Sequence, residues 1–575
     1  MRNVIFSQIE LRHPTRFAIF CGKGGRMKLA RWLMGLGIMA TLFTVSSPMA
    51  NAAGNSQQKN YLLIGTDTGV DSLNPLVGLA QDSYNMWEQI YPQLVQYNPK
   101  GLSFVADFGK SWTHSSNELT WTFQTTPNAK WSDGKPLTAK DVAWTYNTII
   151  KFKTSSTASL AGGVTNMASA VATNSNTVVI KYSKPTSDVL ANLQQLPILP
   201  EHVWSKYAVG NGAALKTFPN KPTPGNPVVS GGPFIATSFV LNQQAIFLTN
   251  PNFYGPKPHI SGFGLQVFSN DDAMVEALKT GQINAIENVP VTSVKVIKAA
   301  GFHVYVGPSL TWRDLIINPV QNKTTDRELL NANVRKAFEY AVDRNTIVKT
   351  AWLGYATPAA SAVPPATGIW HDPAIHPLPF SLTLANQLLN QAGYKKGSNG
   401  IRMANGHPMS YQVIFSSDQN GPGDRAFQII QTDFQKIGVR LTQQVLDPSA
   451  TTAAITANHY RNYNLAMWFW VPLIDPSLMI SAYTCGQYDS WNDSGLCTPA
   501  LDKLYQEQSS ALNLKERVKL VYQAQEMIYN SRAEIALVNN DVIDAWSSKW
   551  TGFVETPQGF FNQLSKIDLE QVRLK

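Results

Sequence analysis

The chain has 575 residues, of which 44% are hydrophobic and 10% aromatic. This length exceeds what one hydrophobic core usually serves, so we expect two or three domains. Only 15% of the residues are charged, well below the usual quarter. So little charge is atypical of a cytosolic surface and favours an acidic or extracytoplasmic medium.

The N-terminal region indicates export. A short basic segment, Met27–Arg31, precedes an apolar run from Trp32 to Val45 that is too short for a comfortable membrane span. Ala50-Asn51-Ala52 then has the small-x-small pattern of a signal-peptidase site. We predict that residues 1–52 are a leader, with a cleaved signal peptide at 27–52. A single membrane anchor is the alternative, and residues 1–26 are either a misassigned start or a long basic n-region.

The net charge of +9 comes mostly from this leader. Residues 1–52 hold seven Lys or Arg and one acid, so 40 basic and 37 acidic residues remain, for a net charge of +3. No basic stripe is left in the mature chain, which argues against nucleic-acid binding.

The cysteines fit an exported protein. Cys21 precedes the cleavage site, whereas Cys485 and Cys497 flank the turn-rich stretch 486–496. An even pair in an oxidising compartment predicts a disulfide, worth up to about 3 kcal/mol. Two unpaired thiols are the alternative. No Cys directly follows the apolar run, so we expect no lipid anchor on the mature N-terminus.

In chain order, the first half alternates between short strands and helices. The predicted strands are 61–65, 120–123, 177–182 and 283–286, and the predicted helices are 84–95 and 271–280. Gly281 stands where the second helix should be capped.

The second half has stronger helical periodicity. Helices are predicted at 333–347, 384–392, 426–437, 500–509 and 514–529, and strands at 409–415, 439–446 and 535–538. The strand–helix–strand order from 409 to 446 predicts a βαβ unit with parallel strands and a right-handed crossover.

The most informative stretch is Lys130–Val142, which reads KWSDGKPLTAKDV. Asp133-Gly134 favours a tight turn, and Thr138 with Asp141 forms a capping box for a following helix. The stretch also resembles the signature of the solute-binding proteins of peptide, dipeptide and nickel ABC importers.

Further segments resemble the same family in the same order along the chain. They are 198–204, 230–234 with 250–255, 274–286, 333–344, and Asp475-Pro476 with 501–504. The resemblance implies an α/β, two-lobed periplasmic-binding-protein-like fold with an insert in the first lobe and the ligand cleft between the lobes. On this basis lobe I is 53–103, 226–317 and 543–575, the insert is 104–225, and lobe II is 318–542.

The resemblance also implies a function without chemistry. We expect an extracytoplasmic receptor, acting as a monomer, that captures a peptide-like solute and delivers it to the permease and ATPase of an ABC importer, with no cofactor. A receptor for a nickel chelate, an opine or a saccharide is the alternative within the family. A secreted enzyme or a peptide-holding chaperone is the alternative outside it.

Candidate ligand-binding residues come from both lobes. Three consecutive aromatic residues on one strand cannot all face the same core, so part of Trp468-Phe469-Trp470 should line the pocket. Arg313 is a candidate partner for an anion. The family match adds residues at a loop and helix start that reach the ligand backbone: Leu79, Ala80, Gln81 and Tyr84.

One position departs from the peptide-binding pattern. Peptide-binding relatives carry an acid four residues before the proline that is Pro476 in this chain, where Pro472 takes that place. Asp475 remains as a candidate. A buried ammonium without a counter-charge costs several kcal/mol, so a free peptide N-terminus is less favoured as ligand.

Enzyme motifs are missing from the sequence. It contains no Gly-x-Ser-x-Gly, His-Glu-x-x-His or phosphate-loop pattern. His371 and His376 come nearest to a metal pair, but Asp372-Pro373 breaks any helix there, and we expect both to be loop residues.

Overall fold

The computed structural model describes residues 60–575 except 79, 100–102 and 420, and leaves out the side chains of 418, 448 and 449. The predicted leader, its signal peptide and Leu79 therefore lie outside the described residues. The chain divides into units Met1–Gly54 and Asn55–Lys575, and all the described residues belong to the second unit. Among them, no helix is both long enough and apolar enough to cross a membrane.

An eleven-stranded sheet runs through both lobes. At its centre lie two long antiparallel strands, His303–Ile317 and Glu534–Trp546, which we call the crossing strands. Strands on one side of them form lobe I: Tyr61–Thr66, Phe234–Val240, Gln244–Thr249, Gly262–Val267 and Ala285–Ile286. Strands on the other side form lobe II: Ser410–Ser416, Arg440–Leu446 and Leu465–Trp470. Ala356–Pro358 pairs with the second crossing strand.

Each lobe has a parallel core. In lobe I, Tyr61–Thr66 runs parallel to Gly262–Val267 and to Ala285–Ile286. In lobe II, Ser410–Ser416 runs parallel to both of its neighbours, as the predicted βαβ unit requires. Ligands of open α/β sheets bind beyond the carboxyl ends of such strands, so these ends mark where a site should be sought.

The insert is a separate antiparallel sheet with one main helix. Its four strands are ordered Gly109–His114, Thr120–Thr125, Thr177–Tyr182, Met167–Asn174. The helix Ala139–Phe152 begins as predicted, because Thr138 and Asp141 form the reciprocal capping box. Gly134 takes a φ of 84° in the preceding turn, which a side chain would resist.

The longer described helices cover the sheets, and they are amphipathic except for Pro448–Tyr460, which is kinked at residues 457–459. They are Gln81–Ile90, Ala139–Phe152, Asp271–Thr280, Ala332–Tyr340, Leu382–Gln391, Pro422–Lys436, Pro448–Tyr460, Pro499–Ser510 and Leu514–Ser531. Shorter helices are Val189–Gln194, Glu201–Trp204, Ala213–Thr217, Val294–Ala299, Arg344–Thr346, Ser477–Ala482 and Ile567–Glu570.

Two helix predictions were wrong in extent. The helix predicted at 84–95 begins at Gln81 and ends at Ile90, because Tyr91 precedes a proline and is extended. The segment Val95–Tyr97 is instead a strand paired with Phe104–Ala106. The helix predicted at 333–347 ends at Tyr340, and the Asp343 side chain caps a new turn by accepting from the backbone N–H of Thr346.

Separate hydrophobic cores hold the lobes, and a small cluster joins them. The lobe I core continues into the insert and includes Trp131 and Trp204, whereas the main lobe II core is built around Phe338 and Phe434. The joining cluster brings together Tyr97 and Leu564 from lobe I, Leu310 from a crossing strand, and Leu473 and Ile474 from lobe II. The two lobes are therefore in contact.

Candidate functional site

The crossing strands carry an irregularity where they pass between the lobes. Pro308 pairs with Asp541 and Trp312 pairs with Asn539, so the three residues 309–311 stand opposite Asn540 alone. The Ser309 hydroxyl donates to the Asn540 carbonyl at 2.5 Å. A bulge of this kind bends the ladder and frees it locally. We take this point as the hinge of the cleft.

Arg313, on the first crossing strand, and Phe469, on the lobe II strand Leu465–Trp470, form what we call the hinge-side wall. The two residues are cross-strand partners, and the guanidinium carbon lies 4.4 Å from the phenyl centroid, a cation–π contact. Arg313 Nε also donates to Asn540 Oδ1 at 3.3 Å. Both side chains are half-buried. The structure thus brings together two of the residues that the sequence singled out and fixes the guanidinium beside the hinge.

Trp468 and Trp470 alternate with Phe469 along the strand and pack against different neighbours. Trp468 contacts the cluster of Ile414 and Tyr460, and Trp470 contacts the cluster of Tyr483. The ring centroids of Trp468 and Phe469 are 6.2 Å apart. The indole N–H of Trp470 is buried and has no hydrogen-bond partner among the described residues.

The predicted disulfide Cys485–Cys497 is present and closes a loop against this strand. The loop carries Trp491, which is 43% exposed, and its ring centroid lies 6.2 Å from that of Trp470. We did not predict a role for Trp491 from the sequence. The sequence did offer one signal for this residue, which is an aromatic side chain inside a loop closed by the predicted disulfide.

The lobe I candidates lie at the start of one helix. Ala80 is the N-cap of Gln81–Ile90, and its backbone N–H donates to Asp71 Oδ2 at 3.3 Å. Gln81 Nε2 donates to Asn85, and the Tyr84 ring lies 4.6 Å from that of Trp87. Burial, with a smaller effect of Asp71, raises the pKa of Tyr84 to about 12, so its hydroxyl is a neutral donor. These contacts all lie within lobe I.

Asp475 is paired with another protein residue and is not part of the hinge-side wall. Its Oδ1 lies 2.7 Å from Arg517 Nη2 and accepts from the backbone N–H of Ser477 at 3.0 Å. The Arg517 guanidinium in turn covers the Trp370 ring at 4.5 Å. The Asp475 carboxylate therefore has a protein counter-charge in this conformation.

The insert reaches lobe II at the same place. The backbone N–H and the hydroxyl of Ser187 donate to the carbonyls of Ser509 and Gln508, each at 2.8 Å. Asp188 is only 7% exposed, and burial, together with Asp475, raises its pKa to about 6 although Arg517 lowers it. We call Ser187, Asp188, Asp475 and Arg517 the insert contact. No sequence motif links these distant positions, and we did not predict the contact.

A cavity of about 640 Å³ adjoins the insert contact. Its walls come from the insert, lobe I and lobe II, so it exists only while the lobes are together. Among its lining residues are Tyr97, Trp121, Trp370 and Ile474, with Asp188 and Arg517 as charged groups.

A pair of carboxyl groups lies beneath the lobe I edge. Asp82 and Glu287 are fully buried and share a hydrogen bond, and Thr66 donates to Asp82 at 3.1 Å. Burial raises the pKa of both groups. Asp82 raises the pKa of Glu287 further, whereas the hydrogen bond from Glu287 lowers the pKa of Asp82. Within the described residues, the group of His, Cys, Asp and Glu compact enough for a metal lies elsewhere, in lobe II.

The family model for bacterial extracellular solute-binding proteins, family 5 Middle, matches residues 103–490. A putative ABC transporter peptide-binding protein of Brucella ovis is 28% identical over 375 residues, which cover 64% of this chain and 67% of the relative.

Two solved structures are similar in fold. NikZ from Campylobacter jejuni in complex with Ni(L-His) has a TM-score of 0.77 at 20% identity, covering 90% of this chain and 99% of the other. AppA from Bacillus subtilis in complex with a nonapeptide has a TM-score of 0.77 at 20% identity, covering 91% and 100%. The two-lobed fold expected from the sequence is thereby confirmed. With its own strands arranged in this way and more than half of its length matched, the chain belongs to family 5 of the bacterial extracellular solute-binding proteins.

Proposed function

We propose that this protein is the extracytoplasmic substrate-binding component of an ABC importer, capturing a peptide-like solute by cleft closure and handing it to the permease and ATPase. The observation that carries the proposal is the pair of lobes facing each other across a bulged hinge in the crossing strands. A hinge between two packed lobes is suited to enclosing a solute.

The ligand would carry an anionic group and apolar side chains. Arg313, held by Asn540 and Phe469, is placed to bind a carboxylate. Trp468, Phe469, Trp470 and Trp491 would pack against apolar groups, and Ala80, Gln81 and Tyr84 would contact the ligand backbone from lobe I.

One observation favours a second candidate. Pro472 replaces the acid that pairs with a peptide ammonium, and Asp475 is already paired with Arg517. A ligand without a free ammonium, such as a modified peptide, an opine, a saccharide or a metal chelate, avoids the missing charge. NikZ, similar in fold, holds Ni(L-His).

We also propose how the protein is exported and where its domains begin and end. The protein would be exported by the signal peptide at 27–52, would carry no lipid anchor and would act as a monomer without a cofactor. The lobe limits would be 53–103, 226–317 and 543–575 for lobe I, 104–225 for the insert and 318–542 for lobe II. The order of the strands on the two sides of the crossing strands supports this division.

Native mass spectrometry of protein purified directly from cells would identify a co-purified solute. Small-angle scattering before and after removal of that solute should show the lobes separating, and adding it back should restore the compact form. Arg313→Gln should weaken binding at least about tenfold, because it removes a charge-assisted contact.

Two results would contradict the proposal. A protein that hydrolysed the bound solute would be an enzyme, and one that bound unfolded chains without any change in scattering would be a peptide-holding chaperone. Arg335→Gln is the matched control, since this arginine caps lobe II carbonyls far from the hinge.

A further inference from the structure

Lobe II carries a mixed cluster of metal-binding side chains that the proposed transport function does not use. One donor atom each from Asp326, Glu328 and His407 lies within 4.8 Å of the other two. His407 Nε2 is 3.4 Å from Glu328 Oε2, and His407 Nδ1 is 3.8 Å from Asp326 Oδ1. Separations near 3.4 Å match those between ligands bonded to one ion at about 2.0–2.1 Å.

The cluster lies at the opposite end of the strands from the cleft. Asn464, which contacts Asp326, immediately precedes the strand Leu465–Trp470, and Tyr411, which contacts Glu328, is near the start of Ser410–Ser416. The cleft aromatics stand at the other end of the first of these strands. An ion bound at this end would be a resident of lobe II and not the transported solute.

Each carboxylate has one oxygen occupied by an outer donor and the other turned to His407. Glu328 Oε1 accepts from the Tyr411 hydroxyl at 2.6 Å, and Asp326 Oδ2 accepts from Asn464 Nδ2 at 3.1 Å. The other oxygens, Glu328 Oε2 and Asp326 Oδ1, lie nearest Nε2 and Nδ1 of the imidazole, respectively, and Glu328 Oε2 also accepts from Asn405 Nδ2 at 3.4 Å. Outer donors that fix ligand carboxylates in this way are typical of protein metal sites.

The histidine is fixed in the same manner. His407 lies on a tight hairpin whose turn residues Asn405 and Gly406 have positive φ, and its Nδ1 is 3.2 Å from the Pro408 carbonyl. A hydrogen bond from Nδ1–H to that carbonyl leaves the Nε2 lone pair facing a carboxylate oxygen. Two acceptors at this distance need a proton or a cation between them, and the orientation is the one that metal-binding histidines adopt.

The neighbouring cations make their hydrogen bonds to backbone carbonyls, although Lys323 is near enough to interact electrostatically with Asp326 and Glu328. Lys323 donates to the Tyr463 carbonyl at 2.7 Å, and Arg327 donates to the carbonyls of Gln321 and Lys323. We propose that Asp326, Glu328 and His407 bind a first-row divalent cation of the zinc class, with water completing the coordination. One imidazole nitrogen with two carboxylate oxygens suits such ions better than Ca²⁺ or Mg²⁺, which prefer oxygen ligands alone.

Calorimetric titration of Zn²⁺ into the chelator-treated mature protein tests the site. We expect one ion per chain, with binding weakened at least about tenfold in His407→Gln and in Asp326→Asn. His202→Gln is the matched control, because it removes a histidine that lies 2.8 Å from a single carboxylate, Asp133, and should leave the titration unchanged.

Three outcomes would overturn the proposal. They are no zinc uptake by the wild-type chain, the same uptake by His407→Gln, and a stabilisation by His407 that does not depend on zinc, which would mark an ion pair only. Absorption of bound Co²⁺, lost on adding zinc, gives a second readout. Arg313→Gln should not alter either signal, so failure of the transport proposal would be distinguishable.

Discussion

The hinge-side wall and the insert contact differ in what their charged groups touch. At the wall, the Arg313 guanidinium rests on a phenyl ring and donates to a neutral amide oxygen. At the insert contact, Arg517 pairs with Asp475, and the buried carboxyl of Asp188 lies beside them. In the proposed function, the wall binds the anionic group of a ligand, whereas the ion pair of the insert contact lies within lobe II and faces Asp188 of the insert. Chemical similarity between two arginines therefore does not imply a similar role.

The largest expected effect is the loss of folding stability when Arg517 of the insert contact is replaced. Arg517→Met leaves Asp475 and Asp188 buried without their cation, and removing one partner of a buried ion pair costs about 3–5 kcal/mol. Urea unfolding should show this loss. Lys503→Met removes an exposed ion pair at 3.6 Å and should cost less than about 1 kcal/mol. Equal losses in the two variants would show that the contact contributes no more than a surface pair.

The next effect is the pH dependence of folding stability, to which each lobe contributes one buried carboxyl group. Burial raises the pKa of Asp544 and of Glu534 to about 7, well above the values of exposed carboxyl groups. Between pH 4 and 7 the folded state therefore binds more protons than the unfolded state, and stability falls as pH rises. We expect the free energy of unfolding to decrease by about 3 kcal/mol between pH 6 and 8, which is about 1.4 kcal/mol for each of the two groups. A chain most stable at pH 8 would contradict this sign.

A smaller effect is the pH dependence of ligand affinity, which depends on closure of the cleft and not on folding. Asp188 is buried when the insert meets lobe II, and its pKa of about 6 there means that protonation favours the closed form. Ligand affinity should therefore fall about tenfold between pH 5 and 7.5, and Asp188→Asn should abolish that dependence. Calorimetry at the two pH values checks it. Asp133→Asn, in the same insert but partly exposed, should keep the wild-type dependence.

The smallest expected effect is the loss of ligand affinity when Phe469 of the hinge-side wall is replaced. Phe469→Leu removes the ring beneath Arg313 and should weaken ligand binding about two- to fivefold, since an exposed cation–π contact is worth about 0.5–1 kcal/mol. Phe380→Leu removes another partly exposed ring in lobe II and should leave affinity unchanged. Equal affinity of both variants and wild type would place the ligand away from this wall.

Local chemistry predicted much of the fold. The capping box at Thr138, the left-handed Gly281 and the parallel strands between 409 and 446 depend on residues close in sequence, and all three are present. Predictions failed where a neighbour overrode periodicity: Pro92 ended the helix that began at Gln81.

The site was less predictable because its contacts join distant segments. Arg313 and Phe469 were each predicted, but their pairing depends on strand register. Asp188 and Arg517 come together only once the insert has docked on lobe II, and the carboxyl pair Asp82–Glu287 requires the helix Gln81–Ile90 to pack beside the end of the strand Ala285–Ile286. Neither arrangement leaves a local pattern in the sequence.

The bulge at residues 309–311 has a mechanical consequence. Both lobes share one hydrogen-bonded sheet, so opening the cleft must bend that sheet somewhere. At the bulge the ladder between the crossing strands is already interrupted, and motion there need not break ladder hydrogen bonds. A second register shift follows between Arg313 and Asp314, so the ladder is irregular from residue 309 to residue 314. Each lobe can be as rigid as its own core allows, and the work of opening is set by the contacts between lobes and not by the strength of the sheet.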